Sequence, residues 1–152
     1  MAAHVNVSAT LRVAAPPEDA FKFFTPDGER LYVAGWEPEY LHPSDGALVE
    51  GLTFRTNHGG EQTIWLVSKC DAAAGAIDYV RVTPDSRIGI VTVRLVSVGP
   101  EGSQPDTAAA DVTVGYRLTS LSDAGDRKLE AFAATFQEQI AAWQRAINAL
   151  LG

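Results

Sequence analysis

From Val5 to Val13 the chain alternates strictly. Val5, Val7, Ala9, Leu11 and Val13 are apolar, and Asn6, Ser8, Thr10 and Arg12 stand between them. A period of two predicts a half-buried strand. Pro16-Pro17 ends it, and Pro17 suits the first turn of a helix. Ala20, Phe21, Phe23 and Phe24 predict a short helix from about Pro17 to Phe24. Thr25 then offers an N-cap, Pro26 a first helical position, and Asp27 and Glu29 an acidic first turn. These predict a second short helix from about Pro26 to Val33. Residues 34–46 contain Gly35, Pro38, Pro43 and Ser44-Asp45-Gly46 and read as a loop. Trp36, Tyr40 and Leu41 within it are large apolar groups, so this loop is expected to pack onto the core.

Five strands are predicted next, at Leu48–Asn57, Gln62–Asp71, Ala76–Thr83, Arg87–Val98 and Asp106–Thr119. His58-Gly59-Gly60 marks a hairpin turn between the first two, its glycines supplying positive φ. Ala72–Gly75 and Pro84-Asp85 mark two further turns, and Gly99–Pro105 a longer loop rich in Gly, Pro and Ser. Connections this short pair neighbours antiparallel. In the second strand Ile64, Leu66 and Ser68 fall on one face and Trp65, Val67 and Lys69 on the other. The period then changes. Leu129, Phe132, Phe136, Ile140, Trp143, Ile147 and Leu150 recur at steps of three and four, which predicts one long amphipathic helix from about Asp123 to Leu151. Ser122 or Asp123 caps it. Gly125 weakens its first turn by about 1 kcal/mol relative to Ala. A stripe this wide needs a partner, and the sheet before it is the only large one.

At 152 residues the chain is expected to form one domain, 1–152, with a real core. Twelve basic against 19 acidic residues give a net charge of −7, which disfavours general binding of nucleic acid or anionic membrane. Arg55, Lys69, Arg81, Arg94 and Arg117 each fall in a predicted strand. They form either a basic ladder on one face or an ordinary solvated outer face. One cysteine, Cys70, allows no intrachain disulfide and fits a reducing compartment. The first seventeen residues lack the apolar run of a secretory signal, and no segment is long and apolar enough to span a bilayer. The expectation is a cytoplasmic protein.

The order strand, two short helices, five antiparallel strands, long helix is the α+β helix-grip arrangement. The stretch from Phe24-Thr25-Pro26-Asp27 through Gly35-Trp36-Glu37-Pro38-Glu39-Tyr40 resembles the SRPBCC superfamily, as do Phe54-Arg55-Thr56, Ile64-Trp65-Leu66-Val67 and Tyr79-Val80-Arg81-Val82-Thr83-Pro84. That superfamily groups START lipid-transfer domains, pollen-allergen-like proteins and polyketide cyclase/dehydrase-like proteins, and the likeness to its small bacterial members covers the whole chain. The resemblance implies a sheet wrapped around the last helix, with a deep apolar pocket between them. Members bind lipids, sterols, polyketides or plant hormones, and some cyclise or hydrolyse their ligand. Fold alone does not choose among these.

Three function classes follow. The first is a binder of an apolar or amphipathic small molecule. Trp36, Tyr40, Phe54, Leu66, Tyr79, Arg81, Tyr116, Phe132 and Phe136 are its candidate ligand-binding residues. The same rings serve equally to fill a solid core. The second is a cyclase, dehydrase or hydrolase, in which Tyr79, Tyr116 and Arg81 polarise a carbonyl. Asp78 or Glu50 would be its general base, although strand parity sets Asp78 opposite Tyr79 and Arg81. The third is a protein-interaction module, with an exposed apolar patch such as Trp65 and Val67 on the outer sheet face. A second copy of the chain is a candidate partner. His4, His42 and His58 lack ligand spacing, so no metal and no cofactor is expected. His42, after the aromatic loop, is a candidate for a pocket mouth. Cys70 stands between Lys69 and Asp71 with nothing in the sequence to supply the partnered base a nucleophile needs, and no serine sits in a nucleophile elbow.

Overall fold

The computed structural model describes residues 3–99 and 108–152. In chain order these form β1 (His4–Val13), α1 (Pro17–Ala20), 3₁₀ turns at Phe21–Phe24 and Gly28–Leu31, β2 (Glu39–His42), β3 (Thr53–His58), β4 (Glu61–Asp71), β5 (Ala76–Thr83), β6 (Arg87–Val98), β7 (Ala109–Ser120) and α2 (Asp123–Leu151). The strands make one curved antiparallel sheet in the order β1-β7-β6-β5-β4-β3-β2. This is the α+β helix-grip arrangement. Apart from Gly99, the loop expected at Gly99–Pro105 and the strand start expected at Asp106 lie outside the described residues.

Four local expectations change. The segment read as a loop holds a short strand, β2, paired with β3 through Glu39↔Arg55 and Tyr40↔Phe54. Prolines on both sides hide it in the sequence. It is held by the Tyr40 ring on Phe54 (6.1 Å between centroids) and by a bidentate Arg55–Glu39 pair at 2.7–2.8 Å. β3 starts at Thr53 rather than Leu48, because Gly51 takes a positive φ of 92° that interrupts the extended chain. The second short helix shrinks to the Gly28–Leu31 turn, with Thr25 Oγ1 accepting from the Gly28 N–H at 3.1 Å. A Cβ on Gly28 would stand 1.6 Å from the Lys22 carbonyl oxygen, so only glycine lets this turn press against the preceding one. That contact fixes where Glu29 points. Finally, β4 has the opposite facing to the one first chosen. Trp65 and Val67 are buried, while Leu66 is exposed.

The facing of β4 follows from its register. Phe54 pairs with Trp65 across the His58–Glu61 hairpin, and both lie on the buried face. The outer face of β4 to β6 carries Ile64, Leu66, Val80, Val82, Ile88 and Ile90 in cross-strand pairs. Arg55, Arg94 and Arg117 share that outer face, but Glu39 and Asp78 pair with Arg55 and Arg94, and Arg81 turns inward, so the face is mixed in charge and not a basic ladder.

The long helix is tied down at specific points. Its buried side is Leu129, Phe136, Ile140 and Ile147, with Phe132 and Trp143 half-buried; Leu150, expected on this stripe, is exposed. β1 is an edge strand, and edge backbone groups need partners. α2 supplies them. Gln137 Nε2 donates to the Ser8 carbonyl (3.2 Å) and Gln144 Oε1 accepts from the Arg12 N–H (2.7 Å). Asn148 accepts from the Ala14 N–H (2.8 Å) and donates to the Arg12 carbonyl (2.9 Å). At the other end Ser122 is the N-cap, its Oγ accepting from the Gly125 N–H at 3.0 Å.

Gly125 has a use that propensity alone does not show. A Cβ there would lie 1.9 Å from the Ser86 carbonyl oxygen and 2.8 Å from Ser120 Oγ. The helix start is pressed onto the β5–β6 turn, and only glycine fits. Gly→Ala in a free helix interior stabilises by about 1 kcal/mol. Here the sign reverses: Gly125→Ala is expected to cost about 1–3 kcal/mol by overpacking. Denaturant unfolding of the two proteins checks this, and an unchanged or raised midpoint contradicts it.

Candidate functional site

Between the sheet and α2 lies a cavity of about 290 Å³. Two aromatic clusters wall it. On the sheet side Phe54 stacks on Trp65 (5.9 Å, planes 2° apart), and Trp36 and Tyr79 meet Trp65 edge-on at 5.4 and 6.0 Å. On the helix side Tyr116 packs on Phe132 at 4.9 Å and on Phe136 at 5.6 Å. Tyr32, from the segment after the second 3₁₀ turn, sits edge-on to Trp143 at 5.8 Å. The clusters do not meet, and the space is what separates them. Exposed Ala34, Gly35 and His58 stand at its rim.

Most polar groups around the space are already bound. Tyr79 donates to the Phe24 carbonyl at 2.7 Å, Tyr32 to the Phe23 carbonyl at 2.6 Å, and Trp36 Nε1 to the Pro26 carbonyl at 2.7 Å. Trp65 Nε1 donates to Thr56 Oγ1 at 3.0 Å, and Thr63 and Thr83 share a hydrogen bond of 2.6 Å. Burial pushes the Tyr79 hydroxyl well above its ordinary pKa, and Tyr32 and Tyr116 likewise, with nearby Glu29 adding to all three shifts. These phenols are hydrogen-bond groups at neutral pH, not phenolates.

Three groups stand apart. The Tyr116 hydroxyl has no hydrogen-bond partner among the described residues. The Glu29 carboxyl also has none, and burial pushes its pKa from 4.5 to about 8. By surface area Glu29 is only half-buried, because the open space it borders admits solvent. The mostly apolar walls, with no cation paired to the carboxyl, favour its neutral form. Arg81 is the third. Its guanidinium lies 4.9 Å over the Trp65 ring and Nη2 donates to Thr83 Oγ1 at 2.9 Å, but its buried Nε has no partner. Desolvation and then Arg87 lower its pKa to about 10, so it stays charged at neutral pH.

Of the residues singled out by sequence, Trp36, Tyr79, Arg81, Tyr116 and Phe132 line the cavity together. Phe54 and Phe136 are fully buried behind them as packing, and Tyr40 packs on the far side of Phe54. Leu66 faces outward and is excluded. Asp78 is bidentately paired with Arg94 on the outer face, and Glu50 is exposed outside the cavity, so neither is placed as its base. His42 is exposed on β2, and His58 takes the rim position instead. Burial, Glu50 and Asp71 raise the Cys70 pKa, the wrong direction for a nucleophile. Trp143, on the apolar stripe of the long helix, also lines the space, whereas Glu29 and Trp65 are lining residues that the sequence does not single out as such. Among the described residues no group of three or more His, Cys, Asp or Glu could hold a metal, and no helix is long and apolar enough to cross a membrane.

No protein-family model matches the chain, and no curated protein matches it in sequence. Solved structures do match in shape. Truncated norcoclaurine synthase from Thalictrum flavum superposes with a TM-score of 0.69 at 14% identity, covering 99% of this chain and 94% of that one. The Zhui aromatase/cyclase from Streptomyces sp. R1128 gives 0.67 at 14%, covering 97% and 93%. A protein from Rhizobium loti gives 0.63 at 15%, covering 96% and 99%. At these identities the likeness shows the fold. It is the helix-grip fold.

The Glu29 shift has a consequence for stability. A carboxyl whose folded pKa exceeds its unfolded value holds its proton more tightly when folded. Its contribution is fully present below pH 4.5 and is lost as pH rises through about 8. The native protein should therefore lose stability over that window relative to Glu29→Gln, which cannot ionise. Denaturation midpoints of both proteins across pH 4–9 check the sign. Parallel curves, or a Glu29 carboxyl carbon titrating near 4.5 by NMR, contradict it.

Proposed function

We propose that this protein binds an apolar or amphipathic small molecule in the space between sheet and closing helix. The observation that carries this reading is the cavity itself: two aromatic walls that do not interlock, with a few unpartnered polar groups between them. Its size is at the lower end of small-molecule sites, and the lining is largely apolar, as such sites are. Trp36, Trp65, Tyr116 and Phe132 give the ligand its apolar contact, while Arg81 and Tyr116 orient its polar end. The reading includes a cytoplasmic location, supported by the single cysteine.

A second reading is favoured by Glu29. A carboxyl poised near neutrality in a cavity, close to an unbound tyrosine hydroxyl, suits proton transfer. An enzyme of the cyclase, dehydrase or hydrolase kind would use Glu29 as acid or base and Tyr116 to hold a carbonyl oxygen. Two neighbours in shape lend this analogy. One is an aromatase/cyclase, and the other, norcoclaurine synthase, is seen in complex with dopamine and hydroxybenzaldehyde. Both analogies are of fold only.

Native mass spectrometry of the purified protein, followed by solvent extraction, tests the first reading. A bound small molecule, or uptake from a panel of aromatic and lipid compounds, is expected. Val93→Phe, which fills the space from β6, should weaken uptake by about tenfold or more with little loss of thermal stability. An empty protein that takes up nothing contradicts the reading. For the second, once a converted substrate is found, Glu29→Gln should lower kcat by about 10²–10⁴ with KM far less changed. Turnover that survives both Glu29→Gln and Tyr116→Phe contradicts it.

A further inference from the structure

The charges around the cavity do not balance. Arg87 pairs with Glu61 at 3.2 Å, and Lys128 approaches the same carboxylate at 3.9 Å, so Glu61 is already shared. Glu29 forms no ion pair with Arg81, and burial raises its pKa to about 8, which favours the neutral carboxyl. Arg81 has no carboxylate within ion-pair distance among the described residues. Its guanidinium is therefore, among the described residues, the cation facing the space that lacks an ion-pair partner; the residue is half-buried, with its Nε fully buried and unpaired. A buried charge without a partner is strongly unfavourable. The Trp65 face beneath it gives partial electrostatic relief but no hydrogen-bond acceptor. Nη2 is engaged by Thr83, while Nη1 and Nε are left without acceptors among the described residues.

We propose that the cavity takes an amphipathic monoanion, its carboxylate or equivalent oxyanion on the Arg81 guanidinium and its flat apolar body between Trp65, Tyr116 and Phe132. This rests on the reading of the space as a ligand cavity, and adds the sign of the ligand's charge and the end at which it sits. An anion completes the guanidinium's hydrogen bonds, and charge-assisted pairs of this kind are the stronger ones. A cationic ligand meets Arg81 and Arg87, with Glu61 already shared between Arg87 and Lys128. The neutral Glu29 carboxyl and the Tyr116 hydroxyl remain as donors for a carbonyl or ether oxygen on the body. A volume of about 290 Å³ holds on the order of fifteen non-hydrogen atoms at interior packing density, the size of a bicyclic aromatic acid.

Three probes of one shape decide the matter: 2-naphthoate, 2-naphthamide and 2-naphthylmethylamine, titrated calorimetrically into the full chain at pH 7 and low salt. The expected order is naphthoate tighter than naphthamide by about tenfold or more, with the amine weakest. Arg81→Met should bring naphthoate and naphthamide to similar affinity while naphthamide binding persists, and Arg81→Lys should restore part of the preference. Naphthamide or the amine binding as tightly as naphthoate overturns the proposal and leaves the cavity reading standing. So does a naphthoate preference that survives Arg81→Met. Binding of none of the three overturns both. Should the Arg81 variants not fold, the ranking on the unmodified protein decides alone.

Discussion

The cavity depends on how the closing helix is held. Gln137, Gln144 and Asn148 lie on one stripe of α2 and satisfy backbone groups of the edge strand β1, while Gly125 presses the helix start onto the β5–β6 turn. The helix is thus fastened at one margin of the sheet and at one end. It lies along β1 and β7 and is not drawn onto β4, β5 and β6. A curved sheet crossed in this way leaves a gap on its concave side. Leu129, Phe136, Ile140 and Ile147 bury the fastened side and give the helix its stability. Phe132 and Trp143 are only half-buried because they face the gap.

The gap is then given a chemical character by three strands and one turn. Inward positions of β4 and β5 alternate Thr63, Trp65 with Tyr79, Arg81 and Thr83, so rings and polar groups arrive together on the same face. The Gly28 turn adds Glu29 from the opposite side. Most of these groups are spent on one another or on backbone carbonyls. Arg81, Glu29 and Tyr116 are not, and they hold two contrasting properties in one small volume: a fixed positive charge and a carboxyl that stays neutral. Burial works against charge on both, with different outcomes. It cannot remove the proton from a guanidinium at neutral pH, but it does keep one on a carboxyl.

Much of the architecture is legible in the sequence because period-two and period-3.6 patterns are physical signals of burial. The long helix, its Ser122 cap, and the strands from Gln62 to Val98 follow from them. The short strand β2 does not, since four residues between prolines carry no period. The facing of β4 was ambiguous because Ile64, Trp65, Leu66 and Val67 are apolar in both phases. The signal that resolves it was nonetheless present: a two-residue turn at Gly59-Gly60 pairs Phe54 with Trp65, so an inward Phe54 forces an inward Trp65. Glu29 had no such signal. An acidic residue in the first turn of a helix is an ordinary surface feature, and only the close approach at Gly28 turns it toward the cavity. For the same reason Tyr40, Phe54 and Phe136 could not be separated by sequence from the rings that line the space. All are large, apolar and inward, and packing alone decides which of them fill and which of them border.

On this reading the space persists beneath the helix and is completed from outside the chain at Arg81. A crystal structure of the protein as purified from its expression host, at a resolution that shows ordered water, tests it most directly. Density is expected between Trp65, Tyr116 and Phe132, with an oxygen about 3 Å from the Arg81 guanidinium. A collapsed interior, with Phe132 packed against Trp65 and Arg81 turned to pair with Glu61, would contradict it.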